Sequence, residues 1–184
     1  MKWEVIKKEE IYKDYWKGLE KWKFRAEDCV DRDITIQISR SFVVVFGITD
    51  DKKILVIKEY FFAAQKHLYS FVAGMVDDGK TPEEIAKSEL LEEGGCEARE
   101  IINLGEFYLG KYVTGKSHIF LAKGVKKVAE QNLEDCEDIE VEFIDYDKFI
   151  KMLEDGNIGA MPEIAAAYRA LDYLKKYNYF ELRN

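Results

Sequence analysis

Apolar and polar residues alternate, or apolar residues run together, in many short segments of the chain, and this pattern predicts a strand-rich fold. Residues 34–38 alternate cleanly, as expected for a strand with one buried face. Residues 41–48 form a continuous apolar run typical of a buried central strand, and residues 49–52 form a turn after it. By the same criteria we predict further strands at residues 3–11, 19–24, 53–60, 68–72, 101–109, 118–122 and 139–144.

Three segments predict helices. Thr81 can cap the first of them, Pro82 suits its first position, and Glu84 can complete a capping box. The Gly94–Gly95 pair predicts its end. Residues 147–153 and 162–177 predict two more helices, and the apolar stripe of the last one is assigned to core packing. Strands with one helix among them and two helices at the end indicate an α+β fold or a mixed sandwich.

Three glutamates, Glu89, Glu92 and Glu93, share one sector of the first predicted helix, because successive residues turn by about 100°. Like charges at i,i+4 destabilise a helix by roughly 0.2–0.5 kcal/mol. Exposed acids in the last turn oppose the helix dipole by about 0.3–1 kcal/mol each. A divalent cation among them would reverse both penalties, so we predict a metal site. A merely solvated acidic face is the alternative that these three residues leave open.

The residues around the glutamates resemble the signature of the Nudix hydrolases. Residues 74–80, a spacer of seven residues and then residues 88–96 reproduce the spacing of that signature. Two positions depart from it, since Lys80 stands where the family has Glu and Ser88 where it has Arg. In the family those two side chains brace the catalytic loop, so we interpret the double change as a coordinated replacement. Residues 72–75 are similar to the same segment of ADP-ribose pyrophosphatases.

The resemblance covers most of the chain and implies its fold and organisation. The expected fold class is the α+β Nudix fold, a mixed β-sheet between α-helices with an N-terminal antiparallel β extension. Residues 1–38 are expected to be the extension and residues 39–184 the Nudix domain. The family often dimerises through its N-terminal strands, so we expect a homodimer. The aromatic residues of this segment suit such an interface or a small local core: Trp3, Tyr12, Tyr15, Trp16 and Trp22.

The resemblance also implies the metal ligands. Glu89 and Glu93 are expected to be the principal ligands, Glu92 a further or water-mediated ligand with a catalytic role, and the backbone carbonyl of Ala73 an additional ligand. The expected cofactor is Mg²⁺, which takes a few carboxylates together with substrate phosphate and water, and Mn²⁺ is a substitute.

An acidic loop at residues 134–138 is similar to the loop that supplies the catalytic carboxylate in ADP-ribose pyrophosphatases. We expect Glu137 to be that carboxylate, with Asp135 as the next candidate. The alternative is an acidic loop that is simply solvated.

Substrate contacts are less well specified by the sequence. Arg40, Lys111 and Lys116 are candidate phosphate contacts, although a loop lysine is more often only solvated. Phe61 occupies the position at which ADP-ribose pyrophosphatases usually carry a phosphate-binding Arg.

Composition narrows the function classes. The chain has 184 residues, enough for one cored domain with or without a small extra lobe, and its net charge of −8 argues against nucleic-acid binding. No segment is apolar enough to cross a membrane or to act as a signal run, so no membrane association is expected. Three cysteines without metal-site spacing, Cys29, Cys96 and Cys136, favour a reducing, cytoplasmic location.

Two functions from different classes remain. The first is Mg²⁺-dependent hydrolysis of the pyrophosphate linkage of a nucleoside diphosphate derivative, ADP-ribose or a nucleotide sugar. The products would be a nucleoside monophosphate and a phosphorylated compound. The second is a nucleotide-binding or sensing module with weakened catalysis. Retention of all three glutamates favours the enzyme, whereas Lys80, Ser88 and Phe61 favour the module.

Overall fold

A computed structural model describes residues 2–27, 30–76, 79–135 and 137–179. Cys29 and Cys136, named above, and Asp77 and Asp78, within the signature segment 74–80, lie outside the described part. The chain divides into two compact units. The first comprises Met1–Ser41 and Phe107–Ser117, and the second comprises Phe42–Glu106 and His118–Asn184.

The first unit is built on an antiparallel three-stranded sheet in the order β1-β2-β3. Its strands are β1 (Trp3–Lys13), β2 (Lys17–Ala26) and β3 (Asp31–Ser39). The β1–β2 turn is fixed by Asp14, whose carboxylate accepts hydrogen bonds from the backbone N–H groups of Trp16 and Lys17. Every residue of β1 is exposed. The predicted N-terminal antiparallel extension is therefore confirmed.

The second unit contains most of a seven-stranded sheet with the path β12-β5-β4-β10-β9, to which β6 and β7 add as partners of β5 and β4. Its strands are β4 (Phe42–Ile48), β5 (Lys53–Phe61), β6 (Lys66–Ser70), β7 (Val72–Met75), β9 (Glu100–Tyr108), β10 (Lys116–Lys123) and β12 (Ile139–Asp145). A separate two-residue pair joins β8 (Cys96–Glu97) to β11 (Lys126–Lys127).

One predicted strand is two strands in the structure. Residues 68–72 were expected to form a single strand, but the chain changes partner at Phe71, which is fully buried. Before it, β6 pairs with β5, and after it, β7 pairs with β4. This exchange carries Ala73 and Gly74 onto the central strand β4, opposite Val44 and Val43.

Helices cover both faces of the sheet because β4 alternates its buried side chains between two cores. Val43 and Val45 pack in a cluster with α1 (Pro82–Glu92), and Val44 and Phe46 pack in a cluster with α2 (Tyr146–Glu154) and α3 (Met161–Lys176). Phe46 is fully buried, with its ring centroid 5.2 Å from that of Phe71 and 5.5 Å from that of Phe149. The predicted α+β class, with a mixed sheet between helices, is confirmed.

None of the described helices combines the length and the apolar character needed to span a bilayer. The division of the chain after residue 38 into an extension and a catalytic domain stays a prediction.

Candidate active site

The helix that carries the glutamates begins at a well-defined residue. Thr81 is the N-cap of α1, and its hydroxyl accepts a hydrogen bond from the N–H of Glu84 at 3.2 Å. The Glu84 carboxylate in turn accepts one from the N–H of Thr81 at 2.7 Å. This reciprocal pair is the predicted capping box. The helix ends at Glu92, and Gly95 follows with a φ of 61°, a left-handed conformation that glycine adopts without strain.

Two of the three glutamates lie directly against β7. The Glu93 carboxylate accepts a hydrogen bond of 2.9 Å from the backbone N–H of Ala73. The Glu89 carboxylate packs on the Cα of Gly74 so closely that a Cβ at Gly74 would overlap it. The glycine is therefore required for Glu89 to occupy this position, and the helix and strand together place two carboxylates on the same short stretch of backbone.

The third glutamate lies elsewhere on the helix surface. Glu92 is exposed, and it accepts a hydrogen bond of 2.7 Å from the hydroxyl of Ser88, one turn earlier. The structure thus brings Glu89 and Glu93 together at β7 but not Glu92, whose expected role stays a prediction. Ser88, at the position where the resemblance implies an Arg, interacts within its own helix.

The acidic loop before β12 brings one further carboxylate to this region. Glu137 is half-buried, and its carboxylate accepts a hydrogen bond of 2.8 Å from the N–H of Glu134, which closes the loop. The neighbouring Asp138 lies 2.7 Å from the Nε2 of His67 on β6. Asp135 is exposed. The negative charge of Glu137 contributes to the raised pKa values of Glu59 and Glu93, and that of Asp135 is not among the causes of either shift.

Two buried glutamates of this region have raised pKa values. Burial raises the pKa of Glu93 well above its usual value. The hydrogen bond from the Ala73 N–H lowers this pKa, whereas the negative charges of three other carboxylates raise it further: Glu89, Glu59 and Glu137. Burial also raises the pKa of Glu59 on β5, with the Ser70 hydroxyl opposing and Glu137 adding. Four carboxylates therefore share one electrostatic environment. In the described residues, no ion pair involves Glu59 or Glu93.

Sequence reasoning missed two acidic residues of this region, Glu59 and Glu163. Glu163 lies in the first turn of α3, is only 7% exposed and has a pKa that burial raises to about 7, with the charge of Glu59 contributing. A carboxylate two positions after the apolar run 54–57, at the end of a predicted buried strand, is a signal that could have identified Glu59. The sequence carries no such signal for Glu163, because acidic residues are favoured in the first turn of any helix and one there does not indicate a functional site.

The predicted phosphate contacts all lie in the first unit. The Nζ of Lys116 lies 5.0 Å from the ring centroid of Tyr108, and the Nζ of Lys111 lies 5.3 Å from that of Tyr112. The backbone carbonyl of Arg40 lies against Gly115. Phosphate binding by Arg40, Lys111 and Lys116 stays a prediction.

The acidic region fits a hard divalent cation by the chemistry of its donors. It offers carboxylate oxygens, and one of these, the Oε2 of Glu163, is buried without a hydrogen-bond partner. Mg²⁺ is bound by oxygen and needs only one or two protein carboxylates when phosphate and water supply the rest. Over the described ranges, no three acidic, histidine or cysteine side chains converge on one point. Binding one ion to several of these carboxylates therefore requires side-chain rotation.

Comparisons with known proteins agree with the geometry. The model of the NUDIX domain matches residues 39–165. The chain is similar to an ADP-ribose pyrophosphatase of Bacillus subtilis strain 168, with 28% identity over 114 residues that cover 61% of this chain and 62% of that relative's length. It is also similar to an ADP-ribose pyrophosphatase of Escherichia coli K12, with 23% identity over 95% of this chain and 88% of the relative.

Among solved structures, the fold matches a crystal structure of an ADP compounds hydrolase with a TM-score of 0.84, 20% identity and coverage of 96% of both chains. The family model spans well over half of the sequence, and it includes β7, α1 and the acidic loop. The chain belongs to the NUDIX hydrolase family, as the spacing of its signature residues predicted.

Proposed function

We propose that this protein hydrolyses the pyrophosphate linkage of a nucleoside diphosphate derivative, with ADP-ribose or a nucleotide sugar as the substrate. The observation that carries the proposal is the placement of the Glu89 and Glu93 carboxylates against β7, with the charge of Glu137 acting on Glu93. The relatives named as ADP-ribose pyrophosphatases support this substrate class.

Mg²⁺, with Mn²⁺ as a substitute, is the proposed cofactor, and Glu89, Glu93 and the Ala73 carbonyl are the groups proposed to hold it, with Glu92 as a further ligand. When bound, the ion would neutralise phosphate charge and stabilise the charge that develops on oxygen during phosphoryl transfer. The chain's own contribution is to position these groups on a rigid helix and strand, since small displacements are costly in rate.

Glu137 is proposed to accept the proton of the attacking water. Its loop is closed by the hydrogen bond from Glu134 and lies beside the β12 strand, so the carboxylate is held in place. Its charge reaches both Glu59 and Glu93, which is the position a base near the reacting phosphorus would need. Asp135, which is exposed, is the alternative base.

The test is hydrolysis of a panel of nucleoside diphosphate derivatives with Mg²⁺, followed by phosphate release after phosphatase treatment. We expect turnover that EDTA abolishes and added Mg²⁺ or Mn²⁺ restores. Glu93→Gln should remove activity and leave the fold intact. Glu83→Gln is the matched control, because Glu83 lies on the exposed side of the same helix and pairs with Lys87.

A second outcome would support the alternative of a nucleotide-binding module. Ser88 interacts with Glu92 in its own helix instead of bracing a loop, which is the specific observation in its favour. If no derivative is hydrolysed but one of them raises the melting temperature, the module is the better description.

We also propose that the protein forms a homodimer through the first unit and works in the cytoplasm. Trp3, Tyr12, Tyr15 and Trp16 are each between 45% and 75% exposed, a large apolar surface for a free sheet. Light scattering should give twice the chain mass, and Trp16→Lys should return the monomer. The buried, unpaired thiol of Cys96 suits a reducing compartment.

A further inference from the structure

The C-terminal end of α1 is covered by the segment that follows β11. The backbone N–H of Asn132 donates a hydrogen bond of 2.9 Å to the carbonyl of Glu92. The N–H of Val128 donates one of the same length to the carbonyl of Gly95. The last carbonyls of a helix have no partner within the helix, so such bonds complete its hydrogen bonding. Residues 128–132 are thereby held against the end of this helix.

Gln131 adds a side-chain contact to this cover, and the contact reaches two elements at once. Its Nε2 donates a hydrogen bond of 2.8 Å to the backbone carbonyl of Glu93 and one of 3.2 Å to the backbone carbonyl of Ile139. A primary amide nitrogen carries two N–H groups, and here each has an acceptor. One side chain therefore links the C-cap of α1 to the first residue of β12.

The acidic loop joins the two residues, Gln131 and Ile139, that this amide holds together. At the second end of the loop, the carboxylate of Asp138 lies 2.7 Å from the Nε2 of His67 on β6. Glu137 immediately precedes Asp138, so it lies between an attachment to the sheet and an attachment to α1. The Gln131 amide thus ties the loop that carries Glu137 to the helix that carries the other carboxylates of the site.

Capping of the helix explains only half of this contact. The bond to Glu93 satisfies a carbonyl at the end of α1, but the bond to Ile139 adds nothing to the helix. Ile139 is fixed independently, because it pairs with Glu59 of β5 and its side chain is only 8% exposed. Among uncharged side chains only those of Asn and Gln offer one nitrogen with two N–H groups, and Gln is the longer. The residue type therefore suits a link between helix and strand.

We propose that Gln131 is a positioning residue of the active site, which fixes the acidic loop against α1 and so sets the distance between the Glu137 and Glu93 carboxylates. The inference rests on the proposed function, in which Glu137 is the base and Glu93 a metal ligand. Misplacing a catalytic group by about 1 Å can lower the rate by about 10²-fold, so such a link matters for turnover. Gln131 itself takes no part in the chemical step.

The test is a double-mutant cycle between Gln131→Met and Glu137→Gln, read by steady-state hydrolysis of the best substrate. Methionine keeps the length of the side chain and removes both donors. We expect Gln131→Met alone to lower kcat by about 10- to 100-fold and to change KM by less than about threefold. In the Glu137→Gln background it should cost less than about threefold, because the group that Gln131 positions is already missing.

Hydrogen exchange followed by NMR measures the attachment of the loop without turnover. The amides of Asn132 and Glu137 are hydrogen-bonded in wild type, to the carbonyls of Glu92 and Glu134. In metal-free Gln131→Met both should exchange at least about tenfold faster, because the loop opens more often. Gln65→Met is the matched control, since Gln65 is exposed in the turn between β5 and β6, and it should keep wild-type exchange and kcat.

Circular dichroism establishes that each variant is folded, and Gln131→Glu, which has the same shape but donates no hydrogen bond when ionised, replaces Gln131→Met if that variant does not fold. The inference is overturned if kcat or the exchange of the loop is unchanged in the folded variant. It is also overturned if the loss of kcat is equal in both backgrounds, as a merely structural role would give. If wild type hydrolyses nothing, the proposed function fails, while faster exchange would still support the attachment of the loop.

Discussion

Neutralising Glu163 should remove a pH dependence from the stability of the metal-free protein. The pKa of this carboxyl group rises from 4.5 to about 7 on folding, so the folded state binds its proton more tightly than the unfolded state does. The resulting stability is fully present below pH 4.5 and is lost as the pH rises through about 7. At about 1.4 kcal/mol for each pH unit of difference, the change amounts to about 3 kcal/mol.

The assay is urea unfolding at a series of pH values from 5 to 8 in buffer containing EDTA. Between pH 5 and 8 wild type should lose most of this contribution to the free energy of unfolding. Glu163→Gln should therefore lose about 2.5 kcal/mol less than wild type over the same range. The two proteins should have similar stability near pH 5, where Glu163 is protonated and resembles glutamine. Near pH 8 the variant should be the more stable one.

Glu93 also carries a raised pKa, and it contributes equally to both proteins, so the difference between them isolates Glu163. Glu154→Gln, with an exposed carboxylate, should follow the wild-type curve. Parallel curves for wild type and Glu163→Gln would refute the reasoning, because they would mean that Glu163 is equally easy to ionise in the folded and unfolded states.

Three other substitutions test separate parts of the structure. Glu137→Gln should lower kcat by about 10²- to 10⁴-fold in steady-state assays, as loss of a general base does, and a larger loss in Asp135→Asn would reassign that role. Gly74→Ala should destabilise the protein by about 1–3 kcal/mol in urea unfolding and abolish activity, because the new methyl group overlaps the Glu89 carboxylate; wild-type activity would contradict the packing. Phe46→Ala should cost about 3–5 kcal/mol of unfolding free energy, whereas Phe62→Ala, at a side chain that is 75% exposed, should cost little; equal losses would contradict the assigned core.

Local sequence patterns predicted those parts of the molecule that local interactions determine. The capping box at Thr81 depends on residues three apart, and the run at residues 41–48 reports burial on both faces, so both predictions were confirmed. The exchange of strand partners at Phe71 was missed, because the pattern of a strand does not say which neighbour it pairs with. The strands β8 and β11 have two residues each and are too short to show any period.

The same distinction applies to the acidic site. Helical periodicity placed Glu89, Glu92 and Glu93 in one sector, but β7 contacts a narrower part of the helix, so Glu92 remains exposed. Glu163 is positioned by the segment just before α3, which docks on β6 through a contact between residues about 90 positions apart. Such long-range contacts leave no mark in the local pattern.

The capping box has a consequence for how this sequence can vary. It fixes the residue at which α1 begins, and so it sets the direction in which every later side chain of the helix points. One inserted or deleted residue between Thr81 and Glu89 would turn both inward carboxylates by about 100° around the helix axis, away from Ala73 and Gly74. Descendants of this chain can therefore exchange outward side chains freely, but they must conserve the number of residues in this stretch.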